Sequence, residues 1–143
     1  MIAVDTNILV YAAELSSPWH SAASAVVRAL AEARTNWAIP WPCIYEFLSV
    51  VTNPRIYAPG STPAEALNHV ETWLESPELT LLSEPDDFLP TLKETITRSV
   101  VVGGAVHDAR IAALCLYHGV TTLYSADRDF SRFPRLKTHN PLV

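Results

Sequence analysis

The chain is short of positive charge: ten Lys and Arg stand against fifteen Asp and Glu, for a formal net charge of -5. Because neutralisation of phosphates by basic side chains supplies most non-specific affinity for nucleic acid, this balance argues against broad electrostatic adhesion to DNA or RNA. The deficit is uneven. Glu65, Glu71, Glu75, Glu78, Glu84, Asp86 and Asp87 fall in a stretch lacking any Lys or Arg, whereas Arg128, Arg132, Arg135 and Lys137 crowd the C-terminal end. One face can therefore be basic while the molecule is acidic. Cysteine is also scarce. Cys43 and Cys115 lie far apart in apolar stretches with no zinc-ligand spacing, which excludes a disulfide framework or a zinc ribbon and predicts buried, reduced thiols. No apolar stretch nears the roughly 18 residues of a membrane span, and no basic run precedes Met1-Ile2-Ala3-Val4; a cytoplasmic protein without a membrane anchor is expected. There is no internal repeat or low-complexity tract.

What is present is a chain of 143 residues, 49% hydrophobic and 17% charged, enough to bury a core as one domain spanning 1–143. Met1 to Val4 reads as a strand ending in Asp5-Thr6-Asn7, followed by an apolar helix from Ile8. Pro18 to Arg34 carries Ala22, Val26, Ala29 and Leu30 on one helical face. Trp37-Ala38-Ile39 is a short strand stopped by Pro40-Trp41-Pro42, and Pro42 suits the first turn of a helix to Thr52. Thr62-Pro63-Ala64-Glu65 has the capping-box pattern and opens a helix to about Glu75. Leu79 to Leu82 reads as strand, Asp86 to Ser99 as helix, Ala105 to Tyr117 as a very apolar helix ending at Gly119, and Val120 to Tyr124 as strand, with a weak last strand near Leu136 to Thr138. Alternating strands and helices imply an α/β fold: a mainly parallel sheet with helices on both faces.

Four acidic positions call for a chemical explanation. Asp5 ends the first strand, where open α/β sheets place their ligands; the plainer alternative is an N-cap role for Asp5 or Thr6. Glu46 is the only charge between Pro42 and Val51, so its burial needs a cation, hydrogen-bond donors or an ion pair with a residue such as Arg110. Asp108 lies near the start of the apolar helix, where it can bind a ligand or simply complement the helix dipole. Asp127 and Asp129 follow the strand ending at Tyr124 and could be a solvated turn. The topology nevertheless draws strand ends and helix starts to one edge of the sheet, where clustered carboxylates repel without a cation. Hard oxygen donors suit Mg²⁺ or Mn²⁺, and such a cation supports phosphodiester hydrolysis.

The strings Val4-Asp5-Thr6-Asn7-Ile8-Leu9, Tyr45-Glu46-Phe47-Leu48, His107-Asp108-Ala109-Arg110-Ile111-Ala112-Ala113-Leu114 and Ser125-Ala126-Asp127-Arg128-Asp129-Phe130 resemble, in order, the motifs of PIN-domain ribonucleases, and most of all VapC-type toxins of toxin-antitoxin pairs. The resemblance implies a three-layer α/β/α sandwich and a Mg²⁺- or Mn²⁺-dependent endoribonuclease acting on RNA. It implies Asp5, Glu46, Asp108 and Asp127 as the acidic quartet, with Asp129 an additional acid and Asn7 or Ser125 giving supporting hydrogen bonds. Asp5 and Asp108 would hold the metal directly, with Glu46 and Asp127 completing its shell through water or orienting the attacking water. It also implies a homodimer and a VapB-like antitoxin partner. Arg110, Arg128 and Arg132 are candidates for phosphate contact, against plain surface or ion-pair roles. Trp37, Trp41 and Tyr45 could stack on an unpaired base, although core packing is the expectation. His107 is given no catalytic role, since no pair of histidines has ligand spacing. Two rivals stand beside this reading: a catalytically silent PIN-like interaction module, and a phosphoacceptor receiver domain. The second should carry a lysine after a late strand, where this chain has Ser125-Ala126-Asp127.

Overall fold

The computed structural model describes residues 1–143. Five strands, β1 (Ile2–Val4), β2 (Trp37–Pro40), β3 (Leu79–Leu82), β4 (Thr122–Tyr124) and β5 (Thr138–His139), form one sheet in the order β3-β2-β1-β4-β5. Every pairing is parallel. Six helices connect them: α1 (Thr6–Ala13), α2 (His20–Glu32), α3 (Trp41–Val51), α4 (Pro63–Leu74), α5 (Leu89–Ser99) and α6 (Ala105–Tyr117). The chain steps outward from β1 to β2 to β3, then returns to lay β4 beside β1. With right-handed crossovers, the first two connections must lie on one face and the third on the other. The helix contacts agree: α1 packs against α2 and α3, and α3 against α4, while α5 packs against α6. This is the expected three-layer α/β/α sandwich. No helix is long and apolar enough to cross a membrane.

One cluster of 28 buried residues joins the layers, with Ile8 and Phe47 from one helical layer and Ile111 and Cys115 from the other. The helix α6 is buried almost all round through Ala109 and Ile111 to Cys115, which explains its lack of an amphipathic pattern. Trp37 is fully buried, and its indole N–H donates to Ser76 Oγ at 3.0 Å. Both cysteines are buried and unpaired.

Several element ends differ from expectation. The Thr62 capping box is present, with Thr62 and Glu65 bonding each other's backbone N–H, and α4 ends one residue before Glu75. Pro18 and Trp19 stay in a turn, so α2 begins at His20. Asp86 and Asp87 lie outside α5, because the Tyr117 hydroxyl holds Asp87 at 2.6 Å and the helix starts beside Pro90. Val120 does not open β4; its N–H bonds the Cys115 carbonyl at 2.9 Å and closes α6, with Gly119 at φ 73° in the left-handed turn that glycine tolerates. The last strand starts at Thr138, since the Leu136 N–H is spent in a turn on the Phe133 carbonyl.

Candidate active site

Strand order reverses between β1 and β4, and the crevice beyond their carboxyl ends is where a doubly wound sheet accepts a ligand. The ladder continues past both strands: Asp5 N–H donates to the Tyr124 carbonyl at 2.9 Å, and Ser125 N–H to the His139 carbonyl at 3.0 Å. Asp5 and Ser125 are thereby fixed side by side. The Ser125 hydroxyl donates to Asp5 Oδ2 at 2.7 Å and the Cys43 thiol donates to Oδ1 at 3.6 Å. Asn7 ties the two loops together, its amide reaching Asp5 Oδ2 at 3.4 Å and its Oδ1 accepting from Ala126 N–H at 3.1 Å. Asp5 occupies the N-cap position of α1 but makes no side-chain capping bond, so capping does not account for it.

Glu46 is half-buried on α3, and its Oε2 accepts the Thr6 hydroxyl at 2.7 Å. The alternative ion pair with Arg110 is absent, because Arg110 is bonded to Glu84. Asp108 sits in the first turn of α6, where the helix dipole and a site role are compatible. Asp127 caps a short 3-10 helix (Arg128–Arg132) by accepting the Asp129 N–H at 2.8 Å; the turn reading is correct as far as it goes, yet Asp127 also faces the crevice.

Asp5, Glu46, Asp108 and Asp127 line a single cleft of about 270 Å³ together with Thr6, Asn7, Tyr11 and Tyr57. Asp129 does not line it, but one carboxylate oxygen each from Asp108, Asp127 and Asp129 lie within 4.8 Å of one another. A Mg²⁺ ion with ligands at about 2.1 Å spans roughly 4.2 Å between opposite oxygens, so this spacing suits an octahedral cation. None of the four cleft carboxylates is paired with Lys or Arg.

The electrostatics follow from that crowding. Burial pushes the Asp5 carboxyl up to about 6; the Ser125 hydroxyl bond opposes the rise, and the Glu46 charge adds to it. Asp108 is raised first by burial and then by Asp127, Asp129 and Glu46, with Arg132 pulling the other way. Burial holds the Cys43 thiol well above its ordinary value and Cys115 up to about 12, and Cys43 meets Asp5 as a hydrogen-bond donor.

Other sequence candidates separate. Arg132 Nε donates to the Asp129 carbonyl at 3.2 Å, close to the cleft, and Arg128 is exposed. Of the three aromatic candidates only Trp37 is core; Trp41 and Tyr45 are 36% and 63% exposed, against the expectation of core packing. Thr6, Tyr11 and Tyr57, which line the cleft, and Cys43, which bonds Asp5, were not among the sequence candidates for the site. Only Thr6, inside the first motif, carried a signal that could have found it.

A family model described as "PIN domain" matches residues 2–136. Ribonuclease VapC43 of Mycobacterium tuberculosis is 30% identical over 142 residues, covering 99% of this chain and 96% of the relative. Ribonuclease VapC48 of the same organism is 28% identical over 137 residues, with 96% and 94% covered. Among solved structures, VapBC2 from Rickettsia felis, bound to a DNA fragment from its promoter, superposes with a TM-score of 0.69 over 97% of this chain and 98% of that one, at 19% identity. With the model match across nearly its whole length and a relative at that identity and coverage, the chain belongs to the PIN-domain family, among its VapC ribonucleases.

Proposed function

We propose that residues 1–143 form one PIN domain that hydrolyses RNA phosphodiester bonds at the four-carboxylate cleft, with Mg²⁺ or Mn²⁺ held directly by Asp5 and Asp108 and with Glu46, Asp127 and Asp129 completing its shell; the close approach of Asp108, Asp127 and Asp129 supports that set. The observation that carries this reading is the convergence of four carboxylates, from four separate segments, on one cleft without a basic partner. Such a set repels itself and is completed by a hard cation. The donors fit: the cleft lining is rich in carboxylate oxygens and holds neither histidine nor cysteine.

Once bound, the cation supplies charge against the transferring phosphoryl group and acidifies water at neutral pH. The chain's own residues do the rest. Thr6 and Ser125 fix the orientation of Glu46 and Asp5 through hydroxyl bonds. With Oε2 occupied by Thr6, Glu46 Oε1 orients the attacking water and accepts its proton as the new P–O bond forms and the bond to the leaving ribose oxygen breaks, that oxygen taking a proton from solvent. Asp127 is the fourth carboxylate of the cleft, and Asp129 steadies it through its backbone N–H while bringing its own carboxylate beside those of Asp108 and Asp127. Arg128 and Arg132 meet substrate phosphates.

Membership among VapC ribonucleases supports the role of endoribonuclease toxin in a toxin-antitoxin pair, and the VapBC2 complex of Rickettsia felis supports a VapB-like antitoxin as partner. We extend the reading to a homodimer and to a cytoplasmic location, in keeping with two reduced thiols. The test is cleavage of a mixed structured RNA pool by purified protein with Mn²⁺, Mg²⁺ or chelator, beside Asp108→Asn. Discrete cuts that need metal and vanish in the variant are expected. A fully active Asp108→Asn protein refutes the proposal.

A further inference from the structure

We infer that Trp41 and Tyr45 are substrate-positioning residues, a stacking platform that holds the RNA base next to the scissile phosphate. The inference rests on the ribonuclease reading above and deepens it.

The two aromatics are four residues apart at the start of α3, hence on one helical face. Their ring centroids stand 6.0 Å apart with planes inclined by 36°. Both rings reach solvent, Tyr45 at 63% and Trp41 at 36% exposure. Leaving two large rings uncovered on a helix whose other face is buried through Cys43, Ile44 and Phe47 forgoes burial that stabilises a fold. The occupant is argued from continuity. Tyr45 lines a groove of about 230 Å³ with Pro42, Glu46, His107 and Arg110, and Glu46 also lines the carboxylate cleft. The groove is thus the lateral extension of the cleft, reached by turning about 100° round α3 from Glu46 to Tyr45. A strand whose phosphate lies among the carboxylates carries its neighbouring base into this groove. Arg110, steadied by Glu84, and exposed His107 border it with donor groups.

A base held in a duplex cannot present its face to the rings, whereas one splayed from a loop or single strand can. This platform also answers the charge problem: an acidic protein gains RNA affinity from π-stacking where its electrostatic contribution is weak.

The experiment uses the full chain and two readouts. In the Asp108→Asn background, binding of fluorescein-labelled oligoadenylate, oligouridylate and the duplex of both is measured by anisotropy, with and without Tyr45→Leu, Tyr45→Phe and Trp41→Leu. Stacking losses of the usual size correspond to about 5- to 150-fold in affinity. Single strands are expected to bind the parent at least fivefold more tightly than the duplex, to weaken at least fivefold on Tyr45→Leu, and to be retained by Tyr45→Phe. In the cutting protein, Tyr45→Leu should raise KM more than it lowers kcat. Equal binding of single strand and duplex, or Tyr45→Leu and Trp41→Leu proteins that bind and cut as the parent does, overturns the inference and leaves the aromatic pair to a protein partner. If Asp108→Asn itself cuts RNA, the ribonuclease mechanism fails instead, independently of what Tyr45 does.

Discussion

Two hydroxyls set the geometry of the cleft. Thr6 donates to Glu46 and Ser125 to Asp5, each at 2.7 Å, so neither carboxylate is free to swing away when the site is empty of substrate. Groups that hold a metal-binding side chain in position typically cost 10- to 100-fold when removed. Thr6→Val keeps the shape and deletes only the donor. We expect it to lower the cleavage rate by about 10- to 100-fold with an unchanged circular-dichroism spectrum, and an unaffected rate in a single-turnover assay would show that Glu46 needs no such support. Residue by residue, the acids were legible because a lone charge in an apolar segment or a carboxylate at a strand end conflicts with its surroundings. Of their partners, Asn7 and Ser125 lay within the motifs and do bond Asp5, whereas the Thr6–Glu46 and Cys43–Asp5 pairs, about forty positions apart in sequence, are brought together only by the tertiary fold.

At the scale of elements, local chemistry was readable wherever it was self-contained. The Thr62–Glu65 box needs only four consecutive residues, and α4 starts where it says. Thr62→Ala should therefore destabilise the protein by about 1 kcal/mol in urea denaturation, without altering cleavage measured below the transition; a change under about 0.3 kcal/mol would mean the cap contributes nothing to the folded state. Boundaries set by distant contacts were misjudged. Asp87 is drawn out of α5 by Tyr117, and Val120 out of β4 by the end of α6. The face of α3 was misjudged for a related reason. Its apolar composition suggested that Trp41 and Tyr45 were buried, but a short helix lying on a sheet conceals only the side that faces inward, and their four-residue spacing places both on the outer one.

For the whole molecule, stability and ligation are coupled through Asp5. Its carboxyl is raised from 3.8 to about 6 by burial, so the folded state prefers the protonated form. Stability from this group is fully present below about pH 4 and is lost as pH rises through 6, a difference on the order of 3 kcal/mol for a shift of this size. Asp108, raised for the same leading reason, acts in the same direction. In chelator, the Asp5→Asn protein should match the parent in urea-denaturation stability near pH 4 and exceed it increasingly towards pH 7. A stability difference that does not vary with pH would place Asp5 in a better-solvated site than the fold indicates. Added Mg²⁺ should restore the parent at pH 7, because binding to the folded state alone stabilises it, and should do so poorly below pH 6, where the proton on Asp5 competes with the ion.

The central claim is that the carboxylates of the β1–β4 crevice form one cation site. Equilibrium binding of Mn²⁺ at pH 7.5, followed by the loss of its free-ion electron paramagnetic resonance signal, tests it without substrate or partner. Binding by the parent is expected to weaken at least about tenfold in Asp5→Asn and Asp108→Asn and to persist in Glu84→Gln, whose carboxylate pairs with Arg110 outside the cleft. Mn²⁺ binding that survives intact in Asp108→Asn, or that is lost in Glu84→Gln alone, would contradict it.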